Sequence, residues 1–205
     1  MGRAQVHRAA LGVPTAVLRG AEVANPLEVA LGFLEKWAYE ADVDASPMSF
    51  EEADLRRANR GGARISAAEI AAILERRGKI ERALRAIPAG SSLAVRSIPW
   101  AHLTQLFDAF AGIRGVGFSK MTKALHKKRP ALIPMLDSVV QAYLDEPPKK
   151  ESPFAQQAID LVRAYKVDLD RNRPVLRVTR RELARRGYMV TEVRLLDLMI
   201  WAAFA

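Results

Sequence analysis

Apolar residues recur three and four positions apart along almost the whole chain, and alternating runs rich in β-branched residues are few. That period admits helices and little else, so the fold class expected is all-α. From Asn25, the residues Leu27, Val29, Ala30, Phe33, Leu34 and Trp37 form one stripe, with Pro26 suited to the first helical turn. Capping-box spacing at Ser49/Glu52, Ser66/Glu69 and Thr179/Glu182 predicts three further helix starts. The helix from Ser66 is expected to run to Ile87 with a weak point at Gly78, and others to span Trp100–Ala111, to start near Phe118 and to close the chain over Val193–Phe204.

At 205 residues the chain is long enough for one domain, read as two lobes sharing a cleft: a central lobe over about 47–133, and a second built from 1–46 and 134–205. A formal charge of +9 favours a polyanionic partner. Compositional bias yields similar excesses, so the placement of the charge has to decide. Without cysteine there is no disulfide framework, thiolate metal site or cysteine-ligated cluster, and the N-terminus has no secretory pattern, so a cytoplasmic location is expected. The final LLDLMIWAAFA is shorter than the ~20 residues a membrane helix needs and is interrupted by Asp197. No membrane partner is expected.

The charge is concentrated in one informative stretch, Gly112 to Asp137, GIRGVGFSKMTKALHKKRPALIPMLD. Its helix–GVG–helix order puts consecutive backbone N–H groups at a helix start, where donors and partial positive charge suit a phosphate oxygen. Lys120, Lys123, Lys127, Lys128 and Arg129 follow, each able to replace a counterion on a nucleic-acid strand. Taken singly, GxG is also an ordinary tight turn and KKRP an ordinary solvated helix end. Asp137 precedes SVVQAYL and is equally a good N-cap.

IRGVGFSKMTKAL followed by PALIPMLDSVV resembles the helix-hairpin-helix DNA glycosylase superfamily, over roughly Trp100 to Tyr143. The chain is more similar still to a little-characterised bacterial group sharing a KRPxLxPxxDS segment and a terminal LLDxxIW-like helix, for which the resemblance implies a fold. It implies an HhH-GPD-type two-lobed helical fold with a central hairpin. Gly115, Val116 and Gly117 match the hairpin that grips a DNA phosphate, and Asp137 matches the catalytic aspartate. Two positions depart from the pattern. Arg114 replaces the usual hairpin proline, and Ser119 stands where bifunctional members carry a sugar-attacking lysine. Lys120 is rotated by about 100° from that position, so neither a Schiff base nor strand nicking is expected.

The function this implies is binding of double-stranded DNA, damaged or mispaired duplex included, and monofunctional base excision. An ionised Asp137 would stabilise the positive charge that builds on the sugar as the N-glycosidic bond breaks. The alternative is a catalytically inactive hairpin module that only binds DNA. The phosphate-binding set is Arg114, Gly115, Val116, Gly117 and Ser119, with Lys120, Lys123, Lys127 and Lys128 along the backbone. No cofactor is expected, a monovalent cation at the hairpin being the one ion left open. His7, His102 and His126 lack metal-site spacing. Trp37, Trp100 and Trp201 are expected in the core, and Asn59 and Arg60 are explained by a helix terminus at the Gly-Gly break.

Overall fold

The computed structural model describes residues 14–36, 46–145 and 152–205. Trp37, His7 and most of the DEPPKKESP loop fall outside them. The chain begins with strands β1 (Thr15–Leu18) and β2 (Ala21–Ala24), paired antiparallel with Thr15 opposite Ala24 and Leu18 opposite Ala21. Nine helices follow among the described residues: α1 (Pro26–Leu34), α2 (Glu52–Arg60), α3 (Ala67–Leu74), α4 (Arg77–Ala86), α5 (Trp100–Asp108), α6 (Phe118–His126), α7 (Ser138–Leu144), α8 (Phe154–Arg185) and α9 (Glu192–Phe204).

The fold is therefore mostly helical, and the hairpin corrects the all-α expectation. Its strands are four residues each, too short for alternation to stand out in sequence. The pairing is fixed from outside. Asn172 on α8 accepts from Val17 N at 2.7 Å and donates to Val17 O at 2.8 Å, so its amide acts as a third strand. At the turn, Gly20 takes φ +73°, and Arg19 bonds Asp168 of α8 at 2.8 Å.

Several starts follow the sequence signals. Pro26 opens α1, and Ser66 caps α3 with Glu69 bonding back to Ser66 N at 2.8 Å. Others move. Helix α2 starts at Glu51, whose amide bonds Asp54 Oδ2 at 2.7 Å, and not at Ser49. The long helix expected from Ser66 breaks at Glu75–Arg76, before Gly78, where Arg76 turns its guanidinium onto Ala111 O at 2.6 Å. Thr179 starts no helix, because its hydroxyl donates to Val175 O at 3.0 Å inside the 32-residue α8. A hydroxyl that finds the carbonyl four residues back has no call on a free amide.

Helix α9 runs through the interior, with every residue from Glu192 to Ile200 buried. Strand β2 and helices α1, α7 and α8 pack around it, while α2 packs on α3 and α6, and α5 bridges α4 to α8. Among the described residues, no helix is long and apolar enough to cross a membrane.

Candidate functional site, a cationic pocket at Asp137

Asp137 ends a short extended segment that three helices hold in place. Leu136 N donates to Thr122 Oγ1 of α6 at 2.9 Å, Gln141 Nε2 of α7 donates to Leu136 O at 2.7 Å, and Met135 N donates to Asp197 Oδ2 of α9 at 3.3 Å. Just upstream, buried His126 donates from Nδ1 to Ile133 O at 2.7 Å. Burial pushes the His126 pKa down to about 3, which keeps the ring neutral.

The carboxylate of Asp137 is 4% exposed and divides its work. Oδ1 caps α7 by accepting from Val140 N at 3.1 Å. Oδ2 accepts from Trp201 Nε1 at 2.9 Å, with Lys123 Nζ at 3.9 Å. Burial pulls the Lys123 ammonium below the usual lysine range, with Asp137 opposing that pull and Arg194 and Arg64 adding to it. Beneath lies Asp197, raised to about 7 by burial, with Arg194 at 3.9 Å and one oxygen unbonded.

A pocket of about 1020 Å³ opens over this carboxylate. One wall is the glycine hairpin and the start of α6, through Gly115, Gly117, Ser119, Lys120 and Lys123. A second stretch of the lining is the α2–α3 connection, Arg60 to Arg64, and the remainder includes Met135, Asp137, Ser138, Arg194, Trp201 and Lys36. Among these described lining residues are six Lys or Arg side chains and a single carboxylate, Asp137. Focused positive charge of this kind favours an anionic ligand.

The hairpin is built for close approach. Gly115 sits at φ +81°, and a Cβ there would collide with the Glu69 carboxylate. Glu69 also takes Lys120 Nζ at 2.6 and 2.8 Å, locking α3 to α6, and that pair together with the Ser66 bond holds its pKa down. Gly117 caps α6 without any side-chain bond, and a Cβ on it would meet nothing within 4 Å.

Of the residues singled out in sequence, Gly115, Gly117, Ser119, Lys120, Lys123 and Asp137 line the pocket. Val116 is buried, bonding Ile113 O through its amide, and Arg114 is exposed outside the lining. Lys128 is redirected altogether: it is 4% exposed, with Nζ 2.8 Å from Asp54 Oδ1 and 2.9 Å from Ser46 O, so it cannot track a strand. Arg129 is buried too, closing the end of α4 through Leu84 O at 2.7 Å, and half-buried Lys127 is not in the lining. Trp100 carries Arg163 over its ring, whereas Trp201 borders the pocket. Among the described residues, no cluster of three His, Cys, Asp or Glu side chains could hold a metal.

Sequence reasoning missed the Arg60–Arg64 wall and Arg194. A basic residue among the apolar residues of the closing helix was the available signal for Arg194.

Fold and pocket together define a mostly helical protein with a deep cationic cleft around one capped aspartate. A family model described as a family of unknown function (DUF6308) matches residues 27–203, and the chain belongs to that family. No curated protein and no solved structure matches it.

Proposed function

We propose that this protein binds double-stranded DNA through the cleft and excises a base as a monofunctional DNA N-glycosylase, with Asp137 as its catalytic carboxylate. The reading takes the fold as an HhH-GPD-type arrangement of two lobes, with the pocket between them. The observation that carries it is the lone carboxylate among the pocket's described lining residues, set among six cationic side chains and beside a helix start that no side chain caps. A base turned out of the stack, at a cost of a few kcal/mol, would enter over Asp137 while flanking phosphates meet the cationic walls.

In this mechanism Trp201 and the α7 amide orient the carboxylate, and its charge offsets the positive sugar as the bond to the base lengthens; water then bonds to C1′ and its proton leaves with the base. Lys123, one helical turn beyond Ser119, is the neighbouring cation, with Nζ 3.9 Å from Asp137 Oδ2. The α6 face thus carries an amine after all, but it serves as counter-ion, and no Schiff base is expected.

One observation favours the second reading, a hairpin module that binds without chemistry. Both oxygens of Asp137 already have partners, and the side chain is nearly closed off. Single-turnover base release from duplexes bearing oxidised, alkylated, deaminated or mispaired bases separates the two. Release by the wild type that is lost in Asp137→Asn supports the glycosylase; binding of every duplex with no release supports the inactive module.

A further inference from the structure

The α2–α3 stretch of the pocket has its own construction. Asn59, the penultimate residue of α2, bonds Ile65 in both directions, with Nδ2 donating to Ile65 O at 2.8 Å and Oδ1 accepting from Ile65 N at 2.6 Å. Inside that staple, Gly62 N and Ala63 N bond the end of α2 at 2.9 and 3.0 Å. The five intervening residues therefore form a closed loop with one backbone path. Gly62 takes φ +77°, as glycine does easily, but Arg64 takes φ +55°. For a long-chain L-residue that conformation costs about 1–2 kcal/mol, and glycine or asparagine usually fills it.

A strained arginine beside two glycines is a reason to look for function. Arg60 and Arg64 are both exposed and both line the pocket. The loop also touches the chemistry, since Gly62 O accepts from Lys123 Nζ at 3.4 Å and that ammonium is 3.9 Å from Asp137.

We infer that the Arg60–Arg64 loop is a second phosphate-gripping element, holding the nucleic-acid backbone at the pocket beside the glycine hairpin. The inference rests on the DNA-binding reading. The two walls differ in kind: the hairpin offers backbone amides and a helix start, whereas the loop's amides are largely spent inside it and its guanidinium groups make the contact. Phosphates flanking one displaced nucleotide would thus be held at two points, which fixes that nucleotide over Asp137.

The test is the duplex affinity of the full-length protein against salt concentration for wild type, Gly117→Ala, Arg64→Gly and Arg60→Ala/Arg64→Gly. Arg64→Gly relieves the strained backbone, so its folding is secure and a thermal melt should show no loss. Each arginine removed should flatten the slope of log affinity on log salt by about 0.9 and weaken binding roughly tenfold at 0.1 M salt. Loop variants that bind with wild-type slope and affinity, while Gly117→Ala weakens binding, would overturn the loop assignment and leave the DNA reading intact. Wild type that binds no duplex even at low salt would remove the DNA reading, and the loop assignment with it.

Discussion

Two groups of positive charge do opposite jobs in the fold. Lys127–Lys128–Arg129 is the densest run of charge in the chain's most informative segment, yet Lys128 and Arg129 are buried and joined to Asp54, Ser46 O and the end of α4. The pocket cations Lys36, Arg60, Arg64, Lys120, Lys123 and Arg194 are spread over 159 positions of sequence and converge on one space. Density of charge along a chain says little about where charge is presented; an Arg or Lys can be a structural bolt as readily as a contact.

The largest effect should come from breaking that bolt. Lys128→Met leaves Asp54 buried with Arg57 as its remaining cation, and should cost about 3 kcal/mol, seen as a large fall in the denaturant midpoint. Its salt dependence of DNA binding, measured on whatever remains folded, should keep the wild-type slope. A variant that folds normally and loses slope would place Lys128 on the surface that meets the ligand.

A smaller effect separates structural charge beneath the pocket from charge facing it. Asp197 is raised to about 7 from its ordinary 3.8, so between those values the native state holds a proton that the unfolded chain has released. Its contribution to stability is complete below pH 3.8 and is lost as pH rises to 7. His126, lowered to about 3, contributes the other way: its share is complete above its ordinary 6.5 and is lost as pH falls toward 3. In Asp197→Asn the aspartate's slope should be gone, so the stability difference, wild type minus variant, should fall as pH rises from 4 to 7 in chemical denaturation. A flat difference would contradict the burial of that carboxyl.

The smallest effect on the fold belongs to the pocket rim. A methyl at Gly117 meets nothing, so Gly117→Ala should shift stability by no more than about 0.5 kcal/mol while weakening duplex binding several-fold. Unchanged affinity at matched salt would take the hairpin out of the contact surface.

Much of this was legible in the sequence where the cause is local. Pro26, Ser66, Phe118 and Asp137 each mark a helix start through chemistry within four residues, and each start is where that chemistry puts it. What escaped was set at long range. The β1–β2 pairing leans on Asn172, the break after α3 on Arg76 reaching Ala111, and the inward turn of Lys128 on Asp54. The site divides in the same way. Asp137 and the glycine hairpin share a 26-residue segment and were found together, whereas the indole that holds Asp137 comes from Trp201, and the second arginine-bearing stretch from a Gly-Gly break that a helix end already explained.

Hydrogen–deuterium exchange of the full-length protein with and without a short duplex asks most directly which group of charges meets DNA. Slowed exchange at the amides of 60–64 and 115–120, with 127–129 unchanged, is the predicted result. Protection at 127–129 with both pocket walls unaffected would contradict the account.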